Sequence, residues 1–192
     1  MKVFKLYSLS YYVRIGIIGT GDIDIIHRYT KTSKKKLEKL LEDVAKLVAD
    51  LRAEIIILPA RGIPYEFAKL YKKFGGKKVY GLIPAKCPFY NKKTKYIIGA
   101  YLDVIDKKIN FNSWYDVDGN IATLGDYTLC FGLSAGTLAE ISLMKHNLLY
   151  KKRKTKLIIF ENTISRRLHE EVEEDIKPVY IRSVHELKRI LK

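Results

Sequence analysis

Small and hydroxyl-bearing residues gather at three points of this 192-residue chain where an apolar run gives way to a helical pattern. The three loops are Gly19-Thr20-Gly21-Asp22, Pro59-Ala60-Arg61-Gly62 and Gly132-Leu133-Ser134-Ala135-Gly136. Glycine lets backbone approach a ligand closely, and the free N–H groups at a helix start attract anions. The third loop is the richest. Ser134 and Thr137 add hydroxyls to the amides of a first helical turn, which suits a phosphate. A tight strand-to-helix turn with Thr137 as its N-cap is the plainer alternative. Glu140 stands three residues beyond Thr137, at capping-box spacing. It either closes that box or points at a ligand, where a carboxylate beside phosphate serves sugar hydroxyls or a developing cation.

Such loops need strands before them and helices after them. Val13–Gly19, Glu54–Leu58, Val79–Ile83, Tyr127–Phe131, Lys156–Phe160 and Val179–Ile181 read as short buried strands. Leu37, Leu40, Leu41, Val44, Leu47, Val48 and Leu51 repeat at helical spacing behind Ser33, a ready N-cap. A helix runs from Pro64 to about Phe74 and stops at Gly75-Gly76. Leu138, Ile141, Met144 and Leu148 predict one helix face; Ile164, Leu168, Val172 and Ile176 predict another. Ser183 and Glu186 form a capping-box pattern opening a last helix. Tyr101–Ile105 reads as a strand, Cys87-Pro88-Phe89 and Asn91–Lys95 as loop, and residues 114–125 as a helix or a hairpin turning at Asp118-Gly119. Alternating strands and helices predict one α/β domain over residues 1–192. It is a Rossmann-like, doubly wound, mostly parallel sheet with helices on both faces.

Composition narrows the function. The formal net charge is +15, which favours nucleotides, nucleic acid or acidic surfaces. Lysine supplies 27 of the 36 basic residues and is spread along the chain, which equally fits surface solubility. Abundant Lys with no Gln fits a hyperthermophile. The uncharged stretch 127–139 is too short for a membrane helix, and Arg14 breaks the apolar run that a signal peptide would need. Cys87 and Cys130, 43 positions apart, form no CxxC or Cys/His cluster. No metal site is therefore expected, and free thiols in the cytoplasm are. Asp116-Val117-Asp118-Gly119-Asn120 hints at a calcium loop, but Ile121 and Tyr127 stand where an EF-hand needs Gly and Glu, so it reads as a turn. Lys34–Lys36, Lys92-Lys93 and Lys151–Lys154 read as solvated faces, with a phosphate-tracking surface as the alternative.

The segment Asp126 to Glu140 resembles the signature of the LOG-like (SLOG) nucleotide-binding superfamily: an Asp, a short strand, then PGGxGTxxE. That group includes the phosphoribohydrolases once called lysine decarboxylases, molybdenum-cofactor carrier proteins and the Rossmann domain of DNA-processing protein A. Gly62, Ala68, Gly75-Gly76 and Gly81-Leu82-Ile83-Pro84 resemble a second run of the family, and Gly19-Thr20 follows the first strand as expected. The resemblance covers about residues 13–160. It implies a phosphorylated nucleoside or molybdopterin-type ligand held by Gly19, Thr20, Gly21, Arg61, Gly62, Ser134, Gly136 and Thr137. It also implies a homodimer and, by analogy with DNA-processing protein A, single-stranded nucleic acid as the alternative partner.

The departures bear on chemistry. Gly132-Leu133-Ser134 replaces PGG, and Leu58-Pro59-Ala60 replaces a glycine triplet. The Arg-Lys pair of the phosphoribohydrolases falls, ungapped, on Val117 and Asp118, and no arginine occurs from 62 to 152. The implied hydrolysis of a base–ribose bond would use Glu140 to stabilise a cation-like sugar. Its arginine is missing unless Arg61 or a lysine substitutes. A kept pocket with a lost partner implies a carrier or sensor of a nucleotide-like ligand, with weak phosphoribohydrolase activity as the enzymatic alternative.

Overall fold

The computed structural model describes residues 12–84, 101–150 and 153–191. Cys87, the expected loops around it, Lys92-Lys93 and Lys151-Lys152 lie outside the described residues. Seven strands run parallel: β1 Arg14–Gly19, β2 Glu54–Ile57, β3 Val79–Pro84, β4 Lys107–Phe111, β5 Tyr127–Phe131, β6 Lys156–Phe160 and β7 Val179–Ile181. Their order is β4-β3-β2-β1-β5-β6-β7. The chain thus builds outward from β1 in one direction, then returns to lay β5 on its other side. That reversal between β1 and β5 is the switch point where an open α/β sheet leaves a crevice.

The helices are α1 Ile23–Tyr29, α2 Lys34–Asp50, α3 Ile63–Lys73, α4 Trp114–Ile121, α5 Ala135–Ser142, α6 Met144–Tyr150, α7 Glu170–Ile176 and α8 Val184–Ile190. The period-2 pleat sends alternate side chains of each central strand to opposite faces. Ile15, Ile17, Ile55, Ile57, Leu129 and Phe131 pack beneath α2, α3 and α8. Ile18, Ile56, Cys130, Leu157 and Ile159 pack beneath α4, α5, α6 and α7. Both faces are dry, which is why these strands read as continuous apolar runs.

Four expectations are corrected. Residues 101–105 are turns, and the strand is Lys107–Phe111. Val104 is buried and Ile105 packs over Gly81, so the apolar run caps the sheet edge. The strand itself is an edge strand with exposed lysines, a usual guard against further pairing. Asp116–Asn120 is not a turn but the middle of α4, capped by the Ser113 hydroxyl accepting from Asp116 N at 3.2 Å and anchored by fully buried Val117 and Ile121. The helix after the third loop breaks at Leu143 into α5 and α6, and Leu138 faces solvent. Finally, α7 starts only at Glu170. Ile164 and Leu168 are buried from non-helical backbone after a 3-10 turn at Glu161–Thr163. The short α1, capped by Asp22, was not signalled.

Candidate functional site

The three loops singled out by sequence leave the carboxyl ends of β1, β2 and β5, which are adjacent in the sheet. They are laced together. Thr20 N donates to Phe131 O at 3.3 Å, Ile63 N to Thr20 O at 3.0 Å, and the Arg61 Nε–H to Gly21 O at 3.1 Å. The loop after β6 joins them, since Gly132 N donates to the Thr163 hydroxyl at 2.9 Å. Gly62 is obligatory here. Its φ is +98°, and a Cβ would lie 2.4 Å from Thr20 O.

This lacing sorts the expected site residues. Thr20 is fully buried, and its hydroxyl is spent locally, donating to Asp22 O and accepting from Asp22 N. Gly62 is buried between loops and Gly19 ends β1 against Phe131 O. These three position the rim. Gly21 and Arg61 are exposed on it, as are Ala135 and Gly136 at the start of α5, with Ser134 half-buried beside them.

Ser134, not Thr137, is the N-cap of α5. Its hydroxyl accepts from Thr137 N at 3.3 Å and shares a hydrogen bond with the Thr137 hydroxyl at 3.0 Å. Capping-box geometry then places position N3 at Thr137, so Glu140 belongs to no box. Thr137, Glu140 and Ile141 form the inward stripe of the helix. The first N–H groups of a helix have no intrahelical acceptor, and those of Ala135 and Gly136 lie at the solvent-facing start of this one. Together with the helix dipole they form an anion-attracting mouth over the β1/β5 crevice.

Beneath that mouth lies a group of ionisable side chains between α4, α5 and β5. Glu140 is buried, and its Oε2 has no hydrogen-bond partner. Burial, and then the nearby Asp118 carboxyl, hold its pKa well above the usual carboxylate range. Asp118 is half-buried on α4. Burial pushes its pKa up to about 6, opposed by a hydrogen bond from Trp114. Cys130, at the end of β5, is fully buried; burial and then Glu140 push its thiol upward, so it is an inert thiol. Sequence reading reached Glu140 but passed over Asp118, because Asp118-Gly119 is a turn signal. The burial of Val117 and Ile121 one turn apart was the cue that α4 carries Asp118 on a helix.

A surface cleft of about 440 Å³ opens at the other end of the sheet, lined by Thr123, Asp126, Arg153, Lys154, Thr155 and Lys156 among others. Its hydroxyls brace the loops that enter β5 and β6. Thr155 donates to Thr123 O and Gly125 O, and Arg153 donates to the Thr123 hydroxyl. It therefore serves as scaffold. Among the described residues, no three His, Cys, Asp or Glu side chains cluster as metal ligands, and no helix is long and apolar enough to cross a membrane.

No protein-family profile and no curated protein sequence matches the chain. Solved structures do. The Moco carrier protein of Chlamydomonas reinhardtii superposes with a TM-score of 0.60 at 16% identity, over 94% of this chain and 98% of that one. The molybdenum cofactor binding protein of Rippkaea orientalis gives 0.59 at 15%, over 96% and 100%. DNA processing protein A of Helicobacter pylori, described for its single-stranded DNA binding mode, gives 0.55 at 15%, over 93% and 80%. The chain shares the fold of these proteins. At these identities the likeness is one of architecture, and it spans more than nine-tenths of the chain. Gly19-Thr20, Gly62 and Gly132 follow β1, β2 and β5 at the crossing points of the laced loops.

Proposed function

We propose that the protein binds a phosphorylated nucleoside or nucleotide-like cofactor, its phosphate on the start of α5 and its remainder in the crevice above Glu140. One observation carries this reading: an exposed helix mouth at the switch point stands over a buried carboxyl whose Oε2 lacks a partner. Burying a polar atom without a hydrogen bond costs about 1–3 kcal/mol, a cost that a ligand donor would remove. Gly21, Arg61, Ser134, Gly136 and the Ala135 amide form the contact set, while Thr20, Gly62 and Thr137 hold the loops that present it. A carrier or sensor would keep such a ligand intact; a weak phosphoribohydrolase would release its base. The carrier function named for the Chlamydomonas structure lends support to the first outcome. A homodimer covering the exposed Tyr115 and Leu138 near this mouth is part of the proposal.

The test is a thermal-shift and calorimetric screen of nucleoside 5′-monophosphates, ADP-ribose and molybdopterin-type compounds against their unphosphorylated counterparts. Stabilisation by the phosphorylated members alone is expected. No stabilisation by any of them refutes the proposal. The net charge of +15 supports single-stranded nucleic acid as the second reading. There, oligonucleotide affinity would fall steeply with salt, by about 0.7 log units per log unit of salt for each phosphate contacted.

A further inference from the structure

We propose that the edge of the sheet where the strands begin, opposite the loops described above, docks the protein on an anionic lipid surface. Docking there needs no nucleotide. Cations gather along this edge at the starts of β3, β2, β1 and β6. Three of them surround the Tyr80 ring, with Arg14 at 5.3 Å, Lys78 at 5.6 Å and Lys107 at 6.0 Å from its centre. The Lys77 ammonium lies over the ring of Tyr12, just before β1. Arg52 is exposed in the turn before β2. Beyond β5, Lys154 and Lys156 are exposed on the rim of the cleft of about 440 Å³, above the threonines that brace its loops. Arg153 within it donates to two neutral acceptors, the Thr123 hydroxyl at 3.0 Å and the Asn120 side-chain oxygen at 3.3 Å. Four strand spacings separate β3 from β6, about 19 Å in all.

This edge differs in sign from the helix faces. There lysines stand beside acids: Lys39 with Asp43, Lys46 with Asp50 and Lys69 with Glu66. Among the described residues, none of Arg52, Lys77, Lys78, Lys107, Lys154 and Lys156 forms an ion pair. The acids of the edge are engaged. Glu54 is buried and accepts from Arg14 Nε at 3.1 Å and from the Tyr80 hydroxyl at 3.2 Å. Asp106 holds Lys72 and Val79 N, and Asp126 Oδ2 accepts from Arg14 N at 2.8 Å. Cations gathered without counter-charge repel one another, a cost that an anionic surface removes. Two features favour a bilayer over a nucleic acid strand. Exposed Tyr12, Val13 and Leu51 sit among the cations, and the Glu54 N to Val13 O hydrogen bond of 2.9 Å holds their segments side by side. Apolar side chains between cations suit the boundary of headgroups and acyl chains. The rings, by contrast, are not set out as stacking platforms: Tyr80 is buried beneath its cations and Lys77 occupies the Tyr12 ring. Residues 1–11, outside the described residues, add Lys2 and Lys5 and no acid to the chain leading into Tyr12. Docked in this way, the protein turns the start of α5 away from the bilayer.

The experiment is flotation of the full chain with vesicles of phosphatidylglycerol and phosphatidylcholine in equal parts, against vesicles of phosphatidylcholine alone. Flotation with the anionic vesicles only, reversed by salt, is expected. Each lysine or arginine near such a surface changes partitioning about fivefold. Lys154→Glu with Lys156→Glu should therefore lower partitioning about 25-fold or more. Lys35→Glu with Lys36→Glu makes the same change of charge at the start of α2, at the opposite edge, and should leave partitioning within about threefold, because salt screens charges so far from the surface. Both lysine pairs are exposed and outside any ion pair, so both variants should melt like wild type. Leu51→Ser, which removes a side chain on a residue 41% exposed, should lower partitioning about three- to eightfold. Equal flotation with both vesicles, or with neither, overturns the proposal. An equal loss in the two double variants also overturns it, since net charge alone would then explain binding. Binding of a single-stranded oligonucleotide that the Lys154, Lys156 variant loses, with no flotation of wild type, would make this edge a nucleic acid surface and overturn the lipid assignment.

Discussion

Gly136→Asp separates ligand binding from folding, because the two should move in opposite directions. Gly136 is exposed in the first turn of α5, and a Cβ there meets only the Ser134 hydroxyl, at 3.9 Å. The new side chain therefore fits. Aspartate is a better helix residue than glycine by about 0.3 kcal/mol, and an acid in the first turn gains about 0.3–1 kcal/mol from the helix dipole. The free protein should melt ~1–5 °C higher, at ~2–4 °C per kcal/mol for a chain of this size. Binding should suffer. A carboxylate ~4 Å from a bound phosphate costs about 1–4 kcal/mol per unit of phosphate charge, depending on solvent screening. That is about a fivefold to nearly a thousandfold loss of affinity for a nucleoside 5′-monophosphate, eased by salt. Calorimetry and thermal melts on one preparation read both signs. A variant that is more stable yet binds with unchanged affinity refutes the placement of the phosphate.

Three further outcomes follow from the same geometry. Gly62→Ala should cost ~2–4 kcal/mol, since it combines strain at φ +98° with a clash against Thr20 O; a denaturant midpoint equal to wild type would contradict the loop lacing. Glu140→Gln should raise stability at neutral pH. The folded pKa of Glu140 is raised, so its favourable contribution is complete below the unfolded value of about 4.5 and is lost as pH rises toward the folded one; the gain from Gln should therefore be present at pH 8 and absent at pH 4 in paired melts. Tyr71→Phe should cost about 1–3 kcal/mol in chemical denaturation, because the buried hydroxyl donates to Ala53 O at 2.6 Å and accepts from Lys78 N at 3.2 Å; a change under about 0.5 kcal/mol would show that these groups find other partners.

Legibility in the sequence followed burial. Runs such as Arg14–Gly19 and Lys156–Phe160 announce central strands, because both faces of the sheet are covered and nothing polar interrupts them. α2 announces itself through its apolar stripe and Ser33, whose hydroxyl accepts from Lys36 N at 3.3 Å. Edge and short elements were opaque. β4 carries two exposed lysines, an exposed asparagine and only two half-covered residues, Ile109 and Phe111, so local pattern favoured the apolar turn before it. In α4, a Gly in mid-helix obscured eight residues whose identity depends on Val117 and Ile121 meeting the sheet.

At the candidate site, the loop read over Gly132–Gly136 does lead into a helix, which starts at Ala135, and Glu140, left open between a capping box and a ligand-facing acid, is buried. Sequence reading misassigned the cap, because Ser134 and Thr137 are both hydroxyl residues and only backbone conformation distinguishes them. It placed Thr20 and Gly62 at the ligand; both are buried in the structure, where they join the loops. Asp118 was read only as a turn residue and as one position of the missing Arg-Lys pair, because its place beside Glu140 is tertiary. Nothing in Asp-Gly tells that a second helix will lay this carboxyl beside Glu140.

The central claim is that the start of α5 holds a phosphate over Glu140. A crystal structure of the protein with a nucleoside 5′-monophosphate tests it most directly. The account predicts phosphate oxygens within about 3.2 Å of the Ala135 and Gly136 amide nitrogens. It also predicts a ligand or water donor on Glu140 Oε2. A nucleotide bound instead in the Arg153, Lys154 and Lys156 cleft at the other end of the sheet, with the start of α5 bare, would contradict it.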